Sequence, residues 1–397
     1  MMFEDIISKE RLIFKSMHFA LDKLSQDEIY NLMKNYYEGM KIKELLEKYR
    51  LDLKITNIVP YFPVYLTDIE CPYCQGYMTA VFVSRTNEEI LKIKNCNVCS
   101  HTLDKNCRCE NCREMENRQK ERLYILKNNM LKELIMDESK KEVIEENDLN
   151  MRQRLYLASV LHCRLTEDIK KLKPIDEIID FIGPSFNFTI DIFKYLYNTK
   201  VISIDEQSPL EAFTFDLDDE IITSFSVDKV KYRLNITPYD DDYGLMIKRL
   251  LYPDESLFNN EFCYELWKEI NLAESIQYFK HHMNKVKFNT EIGEKTRRTF
   301  ERIVEYFSLS EIFYIIHKSI ANGTKLYQSG EYSKTHAINI VKREISNYSE
   351  RVLANNWSLT GYNRDYNLPE STLSKILFNN IMKIDYLGFR NAPTKQL

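Results

Sequence analysis

Residues 71–112 read CPYCQGYMTAVFVSRTNEEILKIKNCNVCSHTLDKNCRCENC and hold seven of the chain's nine cysteines. Cys71 and Cys74 form one C-x-x-C pair and Cys96 and Cys99 another, with about twenty residues between them. Those residues alternate apolar and polar in YMTAVFVSR and again in EILKIKN, which predicts two short strands. Two turns joined by a hairpin can each present two thiolates to one tetrahedral ion.

His101, Cys107, Cys109 and Cys112 follow at once and bring the candidate ligands to eight, enough for two four-coordinate sites. The favoured division is one site of four cysteines and a second of one histidine and three cysteines. An interleaved arrangement in which the pairs cross also satisfies the spacing. So does a single zinc with the CRCENC residues as spare thiols, and a set of buried or redox-active cysteines remains open. Catalytic zinc keeps a position free for water and recruits histidine or carboxylate, so a closed shell of thiolates points to structural Zn2+, one or two per chain. The segment resembles a zinc ribbon. That resemblance covers about a tenth of the chain and implies a fold; zinc ribbons serve DNA, RNA and protein partners alike.

Outward from this segment, the chain of 397 residues is long enough for about two to four domains. With 44% hydrophobic and 29% charged residues it can bury real cores, and the few glycines and prolines among many Ile, Leu, Lys and Glu favour helix. The expected fold class is mainly α and multidomain. It comprises a helical domain over 1–66, a zinc ribbon over 67–112, a helical spacer over 113–150, an acidic α+β domain over 151–260 and a helical domain over 261–397. The net charge of −5 gives no global basic field. It is unevenly spread: near neutral over the first 135 residues, about −10 over the next 125 and about +4 over the rest.

In the first domain, Ser25 followed by Glu28 is a capping-box pattern, and Ile29, Leu32, Met33 and Tyr36 share one helical face before Gly39. Ile42, Leu45, Leu46 and Tyr49 predict a second short helix. The run EIYNLMKNYYEGMKIKELLEKYRLDLKITNIVPYFP resembles the helix-turn-helix of resolvase-type and related homeodomain-like recombinases or transposases. In that family the third segment lies in the major groove, which implies base contacts from Lys54, Thr56 and Asn57 and phosphate contacts from Lys41 and Lys43. A plain helical bundle used for packing accounts for the same pattern.

The middle segment DEIIDFIGPSFNFTIDIFKYLYNTKVISID reads as helix, Gly-Pro break, amphipathic helix and strand, an order that suits a winged-helix unit and equally other small α+β packings. Its acidic loops DLDDE and YDDDYG are carboxylate-rich enough to bring Mg2+ to mind, but consecutive loop aspartates are commonly solvated turns. His162 beside Cys163, and His281, His282 and His336, read as core or surface residues. In the last third, Arg364, Ser371, Thr372, Ser374 and Lys375 surround a helix start where phosphate would be favoured, or where an ordinary cap would do.

No phosphate-cradling glycine loop, G-x-S-x-G or H-E-x-x-H pattern occurs, so no nucleotide cofactor and no catalytic residue is assigned. The start lacks a signal-peptide pattern and no apolar run approaches a membrane span, so a cytoplasmic protein is expected. The expected function is non-enzymatic nucleic-acid binding, most simply DNA, in a regulatory or recognition role within a mobile-element or defence-type assembly. The alternatives are a zinc-stabilised adaptor for protein partners or a second copy of itself and, further off, a metal-dependent nuclease.

Overall fold

Ser25 opens the first substantial helix: its hydroxyl accepts from the Glu28 N–H while the Glu28 carboxylate accepts from the Ser25 N–H at 2.7 Å. In the computed structural model, which describes residues 3–104, 106–140, 142–175 and 181–395, this helix belongs to the first of two compact units, Met1–Leu126 and Lys127–Leu397. The fold is mainly α, and no helix among the described residues is long and apolar enough to cross a membrane.

The first unit runs α1 (Phe3–Ile6), β1 (Leu12–Ile13), α2 (Gln26–Tyr37), α3 (Ile42–Lys48), β2 (Val64–Glu70), β3 (Tyr77–Phe82) and β4 (Leu91–Cys96). Ile29, Leu32, Met33 and Tyr36 form the buried face of α2, and Gly39 at φ +106° ends it in a conformation that favours glycine. The strands pair antiparallel in the order β1-β2-β3-β4. Strand β2 therefore runs through position 66, and the helical and cysteine-rich segments share one sheet.

The far end of the β3–β4 hairpin is pinned to the helices. Phe82 and Leu91 join the core of Phe3, Leu21, Ile29 and Met33, and the Tyr37 hydroxyl donates to the Val83 carbonyl. Arg85 donates to the Tyr36 and Met40 carbonyls at 2.8 Å each, tying the hairpin to the end of α2 and the turn that follows it. Between α3 and a 3-10 turn at Val59–Tyr61 the chain is non-helical. The segment that the helix-turn-helix resemblance puts in the major groove thus contains no α-helix, only that 3-10 turn.

Helix α4 (Glu110–Ser139) is a long charged helix near the position expected for the spacer. The second unit continues with β5 (Ile144–Glu145), α5 (Met151–Arg164), β6 (Lys171–Leu172), α6 (Phe186–Asn198), β7 (Ile202–Ile204), β8 (Phe213–Asp216), β9 (Ile221–Phe225), β10 (Tyr232–Leu234) and β11 (Ile236–Thr237). Strand β10 lies antiparallel between β6 and β7, while β8 and β9 form a hairpin whose tip is the DLDDE loop. The helix expected over residues 176–180 falls outside the described residues.

The remaining helices are α7 (Tyr243–Leu251), α8 (Asn260–Lys285), α9 (Glu294–Ile303), α10 (Leu309–Gln328), α11 (Lys334–Ala354), α12 (Thr372–Lys375) and α13 (Leu387–Arg390), with a π-helical turn at Ile376–Ile381. Helix α8 serves two cores. Leu266, Trp267 and Ile270 pack with α5, α6 and the sheet, whereas Tyr278, Phe279 and Met283 pack with α9 to α11. Leu373, Leu377 and Phe378 return to the first of these cores, so residues near the C-terminus complete the packing of the middle segment.

Candidate metal centres

Each C-x-x-C pair sits in the same kind of tight turn. The Cys71 N–H donates to the Gly76 carbonyl at 2.6 Å, and the Cys96 N–H donates to the His101 carbonyl at 2.7 Å. Four residues into each turn the backbone bonds back, Gln75 N–H to the Cys71 carbonyl and Ser100 N–H to the Cys96 carbonyl, and Gln75 and Ser100 are both left-handed at φ +60° and +57°. These turns aim both thiols of a pair the same way. Antiparallel pairing of β3 with β4 then brings the two turns together, with Met78 opposite Cys96.

The turns pack closely. A Cβ on Gly76 would stand 2.7 Å from Val98 Cγ2 and 2.9 Å from Asn97 Oδ1, so a larger residue there would push one turn off the other.

The first cluster unites Cys71, Cys74, Cys96 and Cys99, whose sulfurs all lie within 4.8 Å of one another. Cys71 and Cys99 are 3.6 Å apart and Cys74 and Cys96 3.4 Å. These separations exclude disulfides, which need about 2.05 Å. They come close to the edge of about 3.8 Å expected for thiolates bound at about 2.3 Å around a tetrahedral ion.

The second cluster unites His101, Cys107, Cys109 and Cys112. His101 Nδ1 lies 3.7 Å from Cys109 Sγ and 3.3 Å from Cys112 Sγ, and Tyr73 packs edge-on against the imidazole. Of the divisions the spacing allows, this is the partition into one four-cysteine group and one histidine–three-cysteine group; the interleaved pairing is not formed. His101 belongs to both centres, because its carbonyl closes the second turn of the first cluster while its imidazole faces the second cluster.

The thiols are electrostatically prepared for a cation. Burial raises Cys96, but the Cys99 and Val98 N–H groups outweigh it and bring the thiol down to about 7. Donation from the Thr102 and Cys109 backbone holds Cys107 at about 6. Their neighbours move the other way: burial and adjacent thiols push Cys99 up to about 12 and Cys112 up to about 11. Each cluster thus ionises readily at one sulfur and resists a second negative charge until a cation is present. Such a donor set can bind a metal ion and hold the turns; with all four positions filled by protein, it leaves no place for a substrate.

No family profile, curated protein or solved structure matches this chain.

The other residues singled out in the sequence are dispersed. Lys41, Lys43, Lys54, Thr56 and Asn57 are all exposed. The Asn57 side-chain oxygen accepts from the Val59 N–H at 3.1 Å, a local contact two residues along the chain at the start of the 3-10 turn.

The acidic loops have structural tasks. Asp216 Oδ1 accepts from the Asp218 and Asp219 N–H groups, Asp240 pairs with Arg249, and Asp242 caps α7. Neither loop forms a compact metal-ligand group among the described residues. At the C-terminal helix start, Ser371 and Ser374 are buried and bonded to each other, and Arg364 pairs with the buried Glu274. These groups serve internal packing.

Arg85 was not apparent from the sequence. Its role depends on the hairpin folding back onto the end of α2, and no local spacing announces that contact.

Proposed function

We propose that this is a non-enzymatic, cytoplasmic nucleic-acid-binding protein, with DNA as the expected client, and that its two cysteine centres hold structural zinc. Four-thiolate and three-thiolate–imidazole sets gathered within 4.8 Å suit Zn2+ best among the common divalent ions, because soft sulfur ligands disfavour Mg2+ and Ca2+.

The observation that carries the nucleic-acid reading is a set of unpaired lysines on the first unit. Lys41, Lys43 and Lys54 are exposed, and none enters an ion pair among the described residues; the same holds for Lys92 and Lys94 on edge strand β4. Cations left free of carboxylates can engage phosphate without breaking an existing pair. The middle segment supports the reading only in outline. Its order of helix, strand, helix, strand, hairpin and strand is that of a winged-helix unit. Yet α6 turns Asn187, Asp191, Lys194 and Asn198 to solvent, a face with one acid and one base, so the contact surface is assigned to the first unit.

The test is fluorescence anisotropy of the zinc-replete chain on duplex and single-stranded DNA and RNA across a salt series. A Lys41→Ala/Lys43→Ala/Lys54→Ala variant should bind more weakly and lower the log–log salt slope on duplex DNA by up to about 2.7, or about 0.9 per lost phosphate contact. Absence of binding to all four probes at low salt would reject the reading. One observation favours a protein partner instead: Leu123, Tyr124 and Ile125, consecutive on α4, are 38%, 62% and 51% exposed. Binding through that surface would respond weakly to salt.

A further inference from the structure

The last turn of α8 and the segment between α11 and α12 bring His281, His282 and Asp365 together, with one ligand atom from each lying within 4.8 Å of the others. Both imidazoles aim Nε2 at the same carboxylate oxygen. His281 Nε2 is 3.7 Å and His282 Nε2 3.5 Å from Asp365 Oδ2. These distances exceed an N–H···O hydrogen bond, which ends near 3.2 Å. Both Nε2 atoms are buried and have no hydrogen-bond partner among the described residues. Two buried ring nitrogens converging on one carboxylate without touching it need an explanation.

From this geometry we propose that His281, His282 and Asp365 form a third metal site, for a first-row divalent transition ion such as Zn2+, independent of the cysteine centres. An ion bound at about 2.1 Å by two imidazoles and a carboxylate separates its ligand atoms by about 3.4 Å in tetrahedral geometry, close to the two nitrogen–oxygen separations of 3.7 and 3.5 Å. It would give both orphaned nitrogens a partner. The donor set of two nitrogens and one oxygen excludes Mg2+ and Ca2+ as preferred guests, since those ions take oxygen shells.

The surroundings fit. Asp365 Oδ1 is held by the Asn367 N–H and side-chain amide at 3.0 and 3.1 Å, which leaves Oδ2 to face the histidines. The Tyr278 ring lies against His282 at 4.1 Å and is itself stacked on Phe313, fixing the imidazole from behind. Burial, reinforced by the Lys285 ammonium and opposed by Asp365, also lowers both histidines, which favours the neutral form that donates a lone pair.

Lys285 is the competitor. Its ammonium lies 2.7 Å from Asp365 Oδ2, the oxygen the ion would use, and its side chain is 46% exposed and can turn outward. Three protein ligands leave at least one coordination position to solvent, unlike the closed cysteine shells.

The test compares the full-length wild type with His281→Gln, His282→Gln and Lys285→Met after dialysis against a graded series of Co2+ concentrations reaching saturation. Metal content is read by mass spectrometry, and the visible spectrum separates thiolate-to-cobalt charge transfer from the weaker bands of a nitrogen–oxygen site. Each histidine variant should hold one ion fewer per chain with the charge-transfer band unchanged. Lys285→Met should bind that ion about tenfold more tightly, or better, because a neighbouring positive charge is gone. Equal ion content in all four proteins at every Co2+ concentration would overturn the proposal, and a Lys285→Met chain that fills no earlier in the series than the wild type would do so even if a histidine variant folds poorly. Loss of the charge-transfer band along with the ion in a histidine variant would also overturn it, since that band belongs to the cysteines. The number of ions held by the cysteines does not affect either comparison.

Discussion

Removing metal should melt the two cysteine turns while leaving the helical core of the first unit folded. The turns at 71–76 and 96–101 order six residues each, which costs about 12–24 kcal/mol of backbone entropy. Their own packing returns little. Met78 is the one fully buried side chain of that local cluster that is not a cysteine, and its burial contributes about 2–3 kcal/mol. The four backbone hydrogen bonds that close the turns add about 4 kcal/mol. A deficit of about 5–18 kcal/mol remains, a span that contains the about 10–16 kcal/mol a structural zinc supplies. By contrast, Ile29, Leu32, Met33, Tyr36 and Leu45 pack with Phe62 and Phe82 in a core that contains no ligand.

The assay is hydrogen exchange read by mass spectrometry with and without a strong chelator. Amides of Cys71, Gln75, Cys96 and Ser100, which donate the bonds that close the turns, should exchange at least about a thousandfold faster once metal is stripped, equivalent to about 4 kcal/mol of lost protection. Amides of Leu32 to Tyr36 should change little. Cys96→Ser should reproduce the pattern without chelator. Retained protection in the turns would show that packing alone holds them, and simultaneous loss in α2 would show that the metal supports the whole unit; either result refutes the reasoning.

Arg249 makes two 2.6 Å bonds to the buried carboxylate of Glu146, so Arg249→Met should destabilise the second unit by about 3–5 kcal/mol in urea unfolding. Adding Glu146→Gln should recover at least about 1 kcal/mol, because the uncompensated charge is removed; no recovery would contradict this assignment. The same Arg249 hydrogen-bonds Asp240 and holds its carboxyl below the ordinary value. Because that value falls on folding, the pair's contribution is complete above pH of about 4 and disappears as pH drops through the folded value. The stability gap between wild type and Asp240→Asn should therefore be level from about pH 5 to 8 and close toward pH 3. Gly323 on α10 faces α11 so closely that a Cβ would lie 2.3 Å from Val341 Cγ2 and 3.2 Å from the Ala337 carbonyl. Gly323→Ala should cost about 1–3 kcal/mol by thermal unfolding despite its better helix propensity, and Val341→Ala in the same chain should return part of it.

The amino-acid sequence alone determined the features that depend on neighbours in the chain. The C-x-x-C spacings specify turns that orient two thiols together, and the alternation between them specifies the hairpin that joins those turns. Ser25 and Glu28 mark the start of α2 because a capping box is a contact across three residues. The mainly helical character followed from composition and periodicity in the same local way.

Tertiary structure decided what depends on residues far apart. Pairing of β1 with β2, and of the β3–β4 hairpin with the helices through Arg85, made one unit of segments whose compositions read as two. Between α3 and Val59 the chain is non-helical, and Leu51, Leu53, Ile55 and Ile58 pack against the core while Asp52, Lys54, Thr56 and Asn57 are exposed. His281 and His282 look like ordinary helical residues in the sequence. Only the return of the chain at Asp365 gives their two nitrogens a common target, because a contact closed by a long loop leaves no trace in the spacing of the residues it joins.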